Sequence, residues 1–192
     1  MGRSFALVGS RSLVCSSALV GRVCSALVRS GASLSVGCAL GLDRAVLGWS
    51  VGAASVSSVS CFAAFGRGGV GGSASVSALG SVARFSAAGG SVSWWSGGSS
   101  VVPFRVRLAV RSRVVVSSVS SGVVAFFSSP VSVGSLGACV FAVSRGLPVV
   151  AFAVGFCGSS LPSLGCGAWV RCSRGGVWAS AWVWSSSVLS LF

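Results

Sequence analysis

Eight residue types are missing from this chain of 192: Glu, His, Ile, Lys, Asn, Gln, Thr and Tyr. The remaining twelve are dominated by Val, Ser, Gly and Ala. An ordinary soluble domain is about a quarter charged, with Glu and Lys among its commonest residues. Here charge is 8%, carried by fourteen arginines and the single acid Asp43. Abundant Ser and Gly weaken helices and strands alike. Conflicting local signals of this kind argue against one well-funnelled fold. The expectation is therefore no stable single fold. Any order should be β-leaning, with short strands and much irregular chain, and the alternative is an α-helical membrane protein.

The missing set has a common description in the genetic code. Glu, His, Lys, Asn, Gln and Tyr need adenine at the second codon position, and Ile and Thr need it at the first. Protein chemistry offers no reason to discard Ile yet keep Val, whereas an adenine-poor strand discards both absent classes at once. Stop codons contain adenine, so such a strand stays open in any frame. The leading expectation for function is accordingly none: a spurious open reading frame, antisense to a hydrophilic coding sequence. Two alternatives stand beside it, a small integral membrane protein with Arg-rich loops and a basic nucleic-acid-binding module.

The net charge of +13 points towards anionic partners such as nucleic acid or a lipid surface. The mean hydropathy of +0.93 points towards membrane or aggregation. The first thirty residues are Arg- and Ser-rich, as in a transit peptide, but the whole chain is equally poor in acids. Charge-free runs cover Ala45–Gly66, Val114–Ser144, Gly146–Val170 and Gly175–Phe192. A spanning helix needs about twenty apolar residues, and Val123–Val143 is the best window. If made, the chain is expected in a membrane. The 31-residue run Val114–Ser144 also predicts self-aggregation, relieved by Arg and Asp at Val124 and Phe126. Residues 1–192 read as one low-complexity region, with 66–100 the most linker-like part.

Catalysis is hard to build from these residues. Neither His nor Lys is present to activate a Ser or Cys, and Asp43 has no second carboxylate. No enzyme, catalytic residue, cofactor or metal is expected. Gly66, Gly68 and Gly71 form G-x-G-x-x-G, a spacing that lets backbone N–H groups approach a pyrophosphate. With 28 Gly in 192 residues, chance alone supplies about 0.6 such matches. The cysteines (15, 24, 38, 61, 139, 157, 166 and 172) contain no C-x-x-C pair and read as small apolar residues.

Two local patterns remain. In VWASAWVW, Trp178, Trp182 and Trp184 share a parity, which places them on one face of a strand, as a membrane-interface belt or a scattered apolar surface. In FRVRLAVRSRV, Arg105, Arg107, Arg111 and Arg113 share a parity opposite Val106, Leu108, Val110 and Val114. That alternation predicts an amphipathic strand over Phe104–Val116, paired with Val123–Phe127 through a turn at Ser117–Gly122. Its arginine face could meet phosphates nonspecifically, joined by the RGG elements at Arg67 and Arg174.

Overall fold

A computed structural model of the chain describes residues 2–13, 17–72 and 75–186. Eight strands form one sheet: Ser4–Gly9 (β1), Ser33–Val36 (β2), Val59–Phe62 (β3), Ser91–Ser93 (β4), Gly122–Phe127 (β5), Val149–Ala153 (β6), Gly167–Arg171 (β7) and Ala181–Ser186 (β8). Their order is β4-β3-β2-β1-β5-β6-β8-β7. The first six run parallel, and β8 lies antiparallel to both β6 and β7. Helices Ser17–Arg29 (α1), Leu42–Gly52 (α2), Val76–Ala87 (α3), Phe104–Ser117 (α4) and Val133–Ser144 (α5) alternate with the parallel strands.

Parallel strands covered on both faces read as unbroken apolar runs, and GVVAFF of β5 is buried at every residue. Alternate residues feed two cores. Leu7, Val124 and Phe126 pack with Val20, Val23, Leu27, Val46, Val82 and Phe85 of α1, α2 and α3. Ala6, Val8, Val123, Ala125 and Phe127 pack with Val115, Val116, Ala138, Cys139 and Ala142 of α4 and α5. In α1 the buried residues Val20, Val23, Cys24 and Leu27 fall at helical spacing, leaving Arg22 and Arg29 exposed. The segment that resembles a transit peptide is thus partly a packed helix.

The expectation of no stable, β-leaning chain is overturned. Ser and Gly are poor helix formers, but packing against the sheet holds the five helices in place, as tertiary burial generally does. Phe104–Ser117 is helix α4, not a strand. The strand over Val123–Phe127 does form, but β1 and β6 flank it instead of a hairpin partner. The candidate membrane window Val123–Val143 is a strand, a loop and a helix, and no described helix is long and apolar enough to cross a membrane. The linker-like stretch 66–100 holds α3 and β4. Val124 and Phe126, nominated as aggregation sites, are 1% and 0% exposed, so Arg and Asp there would strike the core.

Burial separates six of the described thiols into two groups, with Cys172 half-buried between them. Burial pushes Cys24 up to about 12 and raises Cys38, Cys61 and Cys139 as well. Cys157 and Cys166 are exposed, and the Cys157 Sγ lies 3.0 Å from Ser159 Oγ. That hydrogen bond lowers the Cys157 pKa. Because the thiolate is the nucleophile, native-state alkylation should label Cys157 and Cys166 first. The four buried thiols should react only after unfolding, a difference read by peptide mass spectrometry. Equal labelling of all six would contradict the packing. Cys15 lies outside the described residues.

Candidate functional site

β1 and β5 are neighbours in the sheet, yet the chain leaves β1 towards β2 and leaves β5 towards β6, on opposite sides. Loops that diverge from adjacent strands open a crevice at the strand ends, the place where open α/β sheets bind ligands. Here the crevice is a cavity of about 530 Å³. Its walls are Gly9 at the end of β1 with Ser10, Arg11 and Ser12 after it, the segment from Ser129 that leads into α5 as far as Ser135, and the pair Asp43 and Arg111.

Serines stitch the two loops together. Ser10 Oγ accepts from the Ser128 N–H at 3.0 Å and lies 2.7 Å from Ser132 Oγ. Ser12 Oγ lies 2.8 Å from Ser128 Oγ. Ser132 occupies the N-cap position of α5 but makes no side-chain cap bond. The first N–H groups of a helix lack intrahelical partners and sit at the positive end of its dipole. In α5 those belong to Val133, Gly134 and Ser135, all of which line the cavity.

Beneath the loops lies the buried ion pair. Asp43 Oδ2 accepts from the Ala39 N–H at 2.8 Å and from Arg111 Nη1 at 3.2 Å. Burial raises the Asp43 carboxyl, against the pull of Arg111. Among the described residues, Arg111 Nε is the one buried side-chain nitrogen or oxygen without a hydrogen-bond partner. Two glycines make the arrangement fit. A Cβ on Gly37 would overlap the Arg111 guanidinium, and one on Gly41 would overlap the Ser10 carbonyl. Gly41 also has φ of 72°, a conformation L side chains rarely adopt.

The four alternating arginines do not form one phosphate-facing row. On a helix their spacing splits them: Arg107 and Arg111, one turn apart, face inward, while Arg105 and Arg113 are exposed. Arg107 is a structural clamp. Its Nε donates to the Val102 carbonyl at 2.9 Å, Nη1 to the Ala64 carbonyl at 2.7 Å, and Nη2 to the Gly71 carbonyl. The guanidinium also sits 5.2 Å from the Trp95 ring centre and 5.3 Å from that of Phe104.

The other motifs are structural too. Gly66 and Gly71 of the G-x-G-x-x-G stretch press against Trp95, where a Cβ on either would clash. That stretch follows β3 and lines none of the cavity at β1 and β5. Arg67 opens a short 3-10 turn, and Arg174 precedes another at Gly176–Trp178. Trp182 and Trp184 lie in β8, while Trp178 packs on Phe152 with ring centres 6.0 Å apart. Trp184 is 8% exposed and meets Trp169 edge-on, so the trio does not form a single exposed face. The residues that do converge, Ser10, Arg11 and the α5 N-terminus, escaped the sequence reading. An available signal was an apolar run closed by Gly-Ser-Arg-Ser.

Charge is distributed one-sidedly. Twelve of the fourteen arginines are exposed, and the chain's one acidic side chain is buried.

No protein-family model matches the chain, and no curated protein matches it in sequence. Among solved structures, it is similar to DNA processing protein A from Helicobacter pylori, described for its single-stranded DNA binding mode. The TM-score is 0.63 at 14% identity, over 84% of this chain and 69% of that one. At this identity the likeness is one of fold. It overturns the expectation of an accidental frame without function and, together with the lack of any described helix long and apolar enough to span, the helical membrane reading.

Proposed function

We propose that this chain binds single-stranded nucleic acid and takes a backbone phosphate into the cavity between the β1 and β5 loops. The observation that carries the reading is the convergence there of Arg11 with the uncapped N–H groups of α5. A helix N-terminus and a guanidinium are suited together to a phosphate. The arginine-only exterior supports it, because phosphate neutralisation dominates nucleic-acid affinity. So does the fold shared with a protein described for its single-stranded DNA binding. The same reading makes the chain a binding module and not an enzyme, since its one carboxylate is engaged by Arg111.

Fluorescence anisotropy with a labelled oligothymidylate of about twenty nucleotides tests the proposal. Binding should weaken steeply between about 50 and 200 mM salt. Arg11→Ala should weaken it about tenfold at the lower salt and reduce the slope of log K against log salt by about 0.7. Unchanged affinity in a folded Arg11→Ala variant would remove the cavity from the binding path.

A further inference from the structure

The cavity at β1 and β5 does not end at Arg11. That residue also lines a groove of about 880 Å³ between α1 and α2. The groove is faced by Ser17, Ala18 and Gly21 of α1, and by Arg44 and Gly48 of α2. Arg44 and Gly48 in turn line a third depression of about 420 Å³ between α2 and α3, where Arg84 stands. Three hollows thus share their boundary residues in sequence, and each boundary carries an arginine. Arg44 is steadied by a 2.8 Å bond from its Nη1 to Ser77 Oγ on α3. Trp49, whose Nε1 donates to Ser25 Oγ at 3.2 Å, offers the middle groove an aromatic surface.

We infer that a single strand leaving the cavity runs across α2 along this track, with Arg11, Arg44 and Arg84 contacting successive phosphates. The inference rests on the function proposed above and names the course of the strand. Adjacent packed helices lie about 8–10 Å apart, so a crevice between them suits one backbone better than a duplex. Small residues keep the floor low, a guanidinium track supplies charge, and an aromatic face supplies stacking, the combination found in channels for single strands.

Gly48 gives a clean test. A Cβ there meets nothing within 4 Å, so a side chain can be added without disturbing the fold. It lies inside α2, where replacing Gly favours the helix. Gly48→Glu puts a carboxylate on the track. Binding is measured for a 5′-phosphorylated trinucleotide and for oligothymidylate and oligouridylate of about twenty residues. Gly48→Glu, Arg44→Ala and Arg84→Ala should each weaken the long strands about tenfold and spare the trinucleotide. Comparing the two long strands identifies whether DNA or RNA is the better occupant. Long-strand binding that ignores Gly48→Glu and Arg84→Ala while still falling with Arg11→Ala would overturn the track and leave the cavity intact. Indifference to Arg11→Ala as well would sink the underlying reading. Unchanged thermal melting of each variant keeps loss of fold apart from loss of binding.

Discussion

Arg107→Ala should lower the free energy of unfolding by about 3–5 kcal/mol, read from the shift of a urea denaturation midpoint. Arg107 is 2% exposed, and its fork serves three backbone carbonyls, those of Ala64, Val102 and Gly71. Truncation leaves those acceptors without their donor, and each unsatisfied buried group costs about 1–3 kcal/mol. It also removes the cation from beside the Trp95 and Phe104 rings, contacts worth about 0.5–2 kcal/mol each. Partial access of water to the carbonyls holds the total below the simple sum. Arg107→Lys should recover little, because one ammonium cannot span three carbonyls arranged for a planar fork. The segment from Ala63 to Gly72 should become the first site of limited proteolysis. A loss under about 1 kcal/mol would show that the clamp is dispensable.

Asp43→Ala should be nearly as damaging, at about 3–5 kcal/mol, because it strands the Arg111 guanidinium in the interior without a counter-charge. The effect is asymmetric. Replacing both partners, Asp43→Leu with Arg111→Met, should restore much of the loss, since a buried ion pair is often matched by apolar residues of similar volume. A double-mutant cycle by urea denaturation measures the coupling. Neutral behaviour of Asp43→Ala alone would mean that water reaches Arg111 and that the pair is not truly enclosed.

These two arginines also show why the sequence misled. Positions 105, 107, 111 and 113 share a parity, so the period of two is visible at once. Helical spacing links only 107 with 111, and nothing local says that charge faces inward. Arg111 needs Asp43 from 68 positions away, and Arg107 needs carbonyls from the 64–71 loop. Local periodicity carries no information about such partners. By contrast β5 was legible, because GVVAFF is a short apolar run of the kind a two-sided strand requires.

The helices were hidden for a different reason. In α5, VGSLGACVFAVS, small residues replace the strong formers, and packing against β1, β5, β6 and α4 decides its state. The candidate site was illegible because a topological switch point exists only after strand order is known. Ser10 and Ser132 are 122 positions apart, yet their hydroxyls touch. The arginine excess was legible from composition, but its placement outside a core that holds Asp43 was not.

Enclosure of Asp43 also makes the exterior nearly silent to protons. With His, Lys and Tyr absent and Asp43 enclosed, guanidinium is the only exposed charged side chain. The chain carries no histidine, the side chain whose charge ordinarily changes between about pH 5 and 8. Many anion-binding proteins release their cargo on a change of acidity through histidines or carboxylates at the rim. This molecule carries no such group at its rim. Its hold on a polyanion answers to ionic strength, and the one side-chain carboxyl that acidification can neutralise, Asp43, lies in the inner wall of the cavity.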